Sequence, residues 1–129
     1  MRLSLELREV IIEHAKEDSP NECCGVLVGK DSIPTHAVRL ENIHQSPTRA
    51  FKVDIQELSA AITEKKLFAL YHSHTKTRAY PSSLDLRMIL EGNQAHMPLV
   101  IVSLQDPDNT VIGVFQVSTD GTVKEIKGE

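Results

Sequence analysis

Apolar side chains recur at Leu3, Leu7, Val10, Ile11 and Ala15, a spacing that predicts an amphipathic helix over residues 3–17. Ser19-Pro20-Asn21 breaks it, because proline cannot continue the helical hydrogen-bond ladder. Cys23 to Val28 is then an unbroken apolar run stopped by Gly29, the pattern of a buried strand. Residues 35–41 form a second strand candidate, and Asn42, Ser46 and Pro47 mark a loop over 42–50. Asp54-Ile55-Gln56-Glu57 reads as a capping box, so a second helix is expected to about Lys66, with Ile55, Leu58 and Ile62 facing inward. Leu67 to Tyr71 has the length of a buried strand, and His72 to Pro81 is polar and irregular. A third helix is expected from about Ser83 to Gln94. Leu99 to Leu104 and Val111 to Val117 are β-branched runs separated by the turn Asp106-Pro107-Asp108-Asn109. Asp120-Gly121 predicts one more hairpin, with a last strand to Ile126. Helices alternate with strands early and hairpins dominate late, which predicts an α/β fold in which helices pack on a mixed sheet.

Composition changes this picture little. The chain has 129 residues, a length that suits one domain. Tryptophan is absent and aromatics are 4% of the chain, so the core is expected to be aliphatic. Basic residues number 14 against 18 acidic, without a Lys/Arg run, which argues against a nucleic-acid partner. No apolar run approaches the ~20 residues that a membrane helix needs, so no membrane association is expected. Residues 1–18 are too charged for a signal peptide. Cys23 and Cys24 are adjacent, and disulfide geometry disfavours pairing between neighbours. A reducing, cytoplasmic setting is the simplest expectation.

The chemistry concentrates in the stretch from His72 to Asp85. Alternate residues of a strand share a face, so a strand continued through His74 would present His72 and His74 to one ion. Asp85, in the first turn of the next helix, would complete a set of two imidazoles and one carboxylate. Three protein ligands suit a catalytic zinc, whose fourth position is kept for water. A carboxylate nearby could move the water's proton, and Glu22, just before the first apolar strand, is the candidate. Ser82 could donate a hydrogen bond to a developing oxyanion. Plainer readings stand beside these: His-x-His as a polar strand end, Ser82 to Asp85 as a helix-capping box, and Glu22 as a solvated loop acid. His14, His36, His44 and His96 are expected to be surface or core histidines rather than ligands, His44 least securely because its loop could border the site.

Glu22, His72, His74, Ser82 and Asp85 resemble, position by position, the motif of the JAMM (MPN-plus) metalloprotease family: an early Glu, then His-x-His, seven residues, Ser, two residues and Asp. Glu22-Cys23-Cys24-Gly25-Val26-Leu27-Val28-Gly29 is similar to the family's Glu-x-Cys-Gly strand. Asn42, Pro47, Phe51 and Asp54 fall where small bacterial members carry a similar loop and helix start. The resemblance implies one catalytic zinc ion on His72, His74 and Asp85, with Glu22 as general base and Ser82 stabilising the oxyanion. It also implies a mixed, largely antiparallel sheet flanked by helices, similar to cytidine deaminases. Deamination itself is not expected, because a Pro-Cys-x-x-Cys half-site is absent. Thr75 stands where many members carry Pro, a departure expected to alter the loop more than the chemistry.

Small bacterial members are similar to peptidases that cut after the C-terminal Gly-Gly of ubiquitin-like sulfur-carrier proteins. Such a carrier is therefore the expected substrate and partner. Asp85 to Pro98 leaves no room for the long insertion with which ubiquitin-chain specialists grip a second ubiquitin. Relatives commonly dimerise, so a homodimer is a further expectation. Two alternatives remain open at this point: a non-catalytic MPN-type scaffold, and a peptidase with an unrelated peptide target.

Overall fold

The computed structural model describes residues 1–126. Nine elements follow in order: α1 (Leu5–Asp18), β1 (Cys24–Lys30), β2 (Ile33–Leu40), α2 (Ile55–Ala61), β3 (Lys66–His74), α3 (Ser83–Glu91), β4 (Leu99–Ser103), β5 (Val111–Val117) and β6 (Val123–Glu125). They build a six-stranded sheet in the order β2-β1-β3-β4-β5-β6. Every neighbouring pair is antiparallel except β3 and β4, which run parallel. A parallel pair needs a crossover, and the chain from His74 to Leu99 supplies it through α3. The expected mixed, largely antiparallel sheet is therefore present.

Strand periodicity sorts the core into two layers. Cys23, Leu27, Ala69, Tyr71, Val100 and Val102 pack with Ile11 and Ala15 of α1 on one face. Cys24, Val26 and Val28 pack with Phe51, Leu58, Ala61, Ile62 and Met88 on the other, beside a cluster of Ile89, Leu99, Ile101, Phe115 and Val117. Thus α1 covers one face of the sheet, while α2 and α3 cover the other. Burying Leu7 and Ile11 is worth about 1.5–3 kcal/mol each, more than intrinsic propensity supplies to a short helix.

Some boundaries and faces differ from the sequence expectation. The inward stripe of α1 is Leu7, Ile11, His14 and Ala15, and Val10 is exposed. His14 joins the inward stripe as a core histidine, its Nδ1 2.7 Å from the Tyr71 hydroxyl beneath the helix. Helix α2 ends at Ala61 rather than near Lys66, and Glu64 adopts φ 60°, which no helix accommodates. Ile55, predicted to face inward, is 70% exposed because the helix turns Leu58 and Ala61, both half-buried, toward the sheet instead. The expected capping box at Asp54 is half formed. The Asp54 side chain accepts from the Gln56 and Glu57 amides, while Glu57 reaches across to the Glu41 amide at 2.9 Å. Helix α3 stops at Glu91 rather than Gln94, with Asn93 at φ 60°. Finally, β3 runs on through His74 instead of ending at Tyr71.

Candidate metal centre

The extension of β3 is what creates the site. Its alternation sends Ser73 toward the α1 layer and His72 and His74 toward the α2/α3 layer. The parallel crossover then begins α3 just beyond the carboxyl end of β3, the place where α/β sheets gather ligands. Asp85, in the first turn of α3, meets both rings. Its Oδ2 lies 3.2 Å from His72 Nε2 and 3.0 Å from His74 Nε2, and the two Nε2 atoms are 3.1 Å apart.

This triangle of donors fits a zinc ion. Zn–N bonds of about 2.0–2.1 Å in a tetrahedron set neighbouring ligand atoms roughly 3.3 Å apart. Among the described residues, His72, His74 and Asp85 form the group of metal-ligating side chains, and all are buried. His14, His36, His44 and His96 stand outside it. Each ring is held from behind. His74 Nδ1 faces the Arg78 carbonyl at 2.9 Å, which leaves Nε2 for a metal. The Phe51 ring stacks on His72 at 4.5 Å between centroids.

The protonation chemistry agrees with that use. Burial lowers the His72 pKa and favours the neutral imidazole that ligates metals. Burial also penalises the Asp85 carboxylate, but His72, His74 and the Ser82 amide outweigh it and hold the acid well below the usual carboxylate range. His74 is lowered by burial and raised by more through Asp85 and the Arg78 carbonyl, so its net shift is upward.

Register places the fifth residue. Cys24 of β1 pairs with His72 of β3. Beyond the strand, the Ser73 amide donates to the Cys23 carbonyl at 3.1 Å, and the Cys23 amide donates to Ser73 Oγ at 2.8 Å. One residue further, Glu22 comes opposite His74. Asn42 clamps it there, donating from Nδ2 to the Glu22 carbonyl at 2.9 Å and to the Ala50 carbonyl at 3.0 Å. Asn42 Oδ1 also accepts from the His44 and Lys52 amides, so one side chain braces the loop from 42 to 52. Glu22 is 6% exposed, which overturns the solvated-loop reading, and among the described residues its Oε1 has no hydrogen-bond partner. Burial raises its pKa to about 7, with His74 pulling down and Asp85 pushing up.

Glu22, His74 and Ser82 line one open cleft of about 320 Å³, and Thr75 lines it too. Ser82 is the N-cap of α3, with its Oγ accepting from the Asp85 amide at 3.0 Å, so the hydroxyl hydrogen stays free to donate into the cleft. The five residues singled out in the sequence thus converge at one end of the sheet. Sequence reading gave no site role to Phe51, Asn42 or Ser73. An aromatic isolated in a polar loop was the available sign for Phe51. For Ser73 the sign was its strand parity, opposite to that of the two histidines. Cys23 and Cys24 are buried free thiols outside the metal group.

Comparison with known proteins agrees with this construction. The sequence profile of prokaryotic homologs of the JAB domain matches residues 4–114, and the chain belongs to that family. A CysO-cysteine peptidase of Mycobacterium tuberculosis is 32% identical over 127 residues, covering 93% of this chain and 84% of the relative. The solution structure of protein DSY2949 from Desulfitobacterium hafniense superposes with a TM-score of 0.84 at 29% identity, over 99% of this chain and 93% of that one. A structure described as JAMM, a metalloprotease-like zinc site in the proteasome and signalosome, shares the fold at a TM-score of 0.58 and 20% identity, over 100% of this chain and 95% of that one. Family and relatives support a hydrolase of the peptidase class. No helix among the described residues is long and apolar enough to cross a membrane.

Proposed function

We propose that the chain is a single-domain zinc metallopeptidase that cuts after the C-terminal Gly-Gly of a ubiquitin-like sulfur-carrier protein. The observation that carries this reading is the buried Glu22 carboxylate, whose Oε1 has no partner among the described residues, in the cleft that it shares with His74 and Ser82. His72, His74 and Asp85 would hold the metal, since their donor atoms, mutual spacing and protonation suit zinc. Zinc bound there supplies a Lewis acid that polarises the scissile carbonyl and readies water for attack near neutral pH. Glu22 takes the proton of the attacking water and passes it to the leaving nitrogen. A carboxyl titrating near 7 is suited to both transfers. The Ser82 hydroxyl donates to the carbonyl oxygen as it gains charge. Phe51 and the Arg78 carbonyl keep the imidazoles from turning.

The substrate class rests on the relative named for CysO-cysteine cleavage and on the compact surface. Residues 92–98, between α3 and β4, carry no insertion that could hold a second globular partner. Along α3 a groove of about 510 Å³, lined by Phe51, Leu84 and Met88, offers an apolar track for an extended tail. A scaffold would have no use for a buried acid without a partner. The test is to incubate zinc-loaded protein with carrier fusions extended beyond Gly-Gly and to locate the cut by mass spectrometry. Cleavage after Gly-Gly that is lost in Glu22→Gln is expected. If the variant cuts as the parent does, the mechanism fails. If only unrelated peptides are cut, the substrate assignment fails.

A further inference from the structure

The cleft beside Glu22 holds more cations than acids, although the chain as a whole is acidic, at −4. Within the cleft, Arg49 and Lys76 oppose a single acid, Glu22. The two cations come from different segments, Arg49 from the loop after β2 and Lys76 from the crossover after β3, and they converge on one opening. Both are exposed, and among the described residues neither side chain has a hydrogen bond, ion pair or ring contact. Thr48, Thr75 and Thr77 add hydroxyls to the same lining. The neighbouring groove along α3 carries Lys52, Arg87 and Glu91 around an apolar floor of Ala50, Phe51, Leu84 and Met88, so what sets the first cleft apart is that its cations share it with Glu22.

Which half of the substrate meets these cations follows from the chemistry. If Glu22 hands its proton to the leaving nitrogen, the leaving residue must lie in the cleft that contains Glu22. A residue with a free C-terminus carries a carboxylate two bonds from that nitrogen. A lysine in an isopeptide bond, or an internal residue of a fusion, carries none there. The volume, about 320 Å³, is at the small end for a ligand pocket and suits one amino acid.

We propose that Arg49 and Lys76 bind the free α-carboxylate of the C-terminal amino acid that leaves, and so set the preference for a terminal residue over an internal or isopeptide-linked one. This specificity rests on the peptidase reading above and adds the leaving group to it. Charge-assisted hydrogen bonds from the two cations would favour the acid over its neutral amide by roughly 10- to 100-fold in KM.

The experiment compares two carriers that differ only at the end, Gly-Gly-Cys as the free acid and as the carboxamide. With the zinc-loaded protein, the acid is expected to show the lower KM at similar kcat. The acid-to-amide ratio should fall toward one in Arg49→Ala and in Lys76→Ala, and Arg49→Lys should restore part of it. In parallel, both carriers are titrated calorimetrically into zinc-loaded Glu22→Gln protein, where turnover does not intervene. Tighter binding of the acid supports the carboxylate site even if neither carrier is cut, an outcome that would sink the peptidase reading alone. Equal binding and equal KM for acid and amide, or an unchanged ratio in both alanine variants, overturns the inference.

Discussion

Ser82 and Asp85 cap each other across the first turn of α3. The Asp85 amide donates to Ser82 Oγ at 3.0 Å, and the Ser82 amide donates to Asp85 Oδ2 at 2.9 Å. That same Oδ2 faces both histidines. Helix cap and candidate ligand are therefore one group, and the two readings of Ser82-Ser83-Leu84-Asp85 are not alternatives. The cap fixes the carboxylate where the metal group needs it.

Substitution at Ser82 separates these roles. Ser82→Ala removes the cap and should lower stability by about 1 kcal/mol. It should also lower kcat by about 10²-fold through the lost donor. Ser82→Asp keeps a capping oxygen but has no hydrogen to give, so it should recover stability without recovering turnover, whereas Ser82→Thr should recover both. Urea melts and kcat on one carrier substrate measure the two effects. Recovery of turnover in Ser82→Asp would contradict the donor role.

Glu22 should write its burial into the pH dependence of stability. Its folded pKa is about 7, raised from 4.5 mainly by desolvation. A raised acid contributes stability that is complete below its unfolded pKa and is lost as pH climbs through about 7. Metal-free Glu22→Gln protein lacks that loss. Relative to the parent it should gain on the order of 3 kcal/mol between pH 4 and pH 8. Denaturant melts of the two chelated proteins across that range test the sign, and a gap independent of pH would refute it.

Metal should stabilise the fold through the three donors. Zinc at 100 times its Kd adds about 2.7 kcal/mol to the native state. Its addition is expected to raise Tm, and a chelator to reverse the rise. Asp85→Asn retains an oxygen for the Ser82 amide, so its chelated Tm should stay near the parent value while the zinc-induced rise shrinks. A full zinc response in His74→Ala would rule out the proposed ligand set.

The adjacent cysteines should be inert in the native state. Burial is the main cause that pushes the thiol pKa of Cys23 and of Cys24 up to about 12. Thiolate is then scarce at pH 8, and iodoacetamide should label neither residue until the protein is unfolded. Mass spectrometry of native and urea-treated samples checks this. Cys23→Ala/Cys24→Ala protein should still bind zinc.

The legible parts of this molecule are local. Period-two alternation puts His72 and His74 on one face wherever a strand runs through them, and the Ser82-to-Asp85 cap needs only its own turn of helix. The strand runs were also readable, because β-branched stretches bounded by turn residues have few alternatives. Helix ends were less so. Glu64 takes positive φ although its side chain does not favour it, whereas Asn93, just after Gly92, is a residue type that enters that region readily.

What only the tertiary structure decided is how distant segments meet. Cys23 and Ser73 are fifty residues apart, yet their hydrogen bonds set the register that brings Glu22 to His74. That register exists because the central strands β1, β3 and β4 bury one set of side chains on the α1 face and the other on the α2 and α3 face. A slip of one residue would exchange the two faces. Asn42, Phe51 and the Arg49–Lys76 pair are placed the same way, by packing that no spacing along the chain records. The sequence by itself determined which residues can ligate a metal and cap a helix. Burial of both sheet faces decided that a carboxylate without a partner would stand beside them.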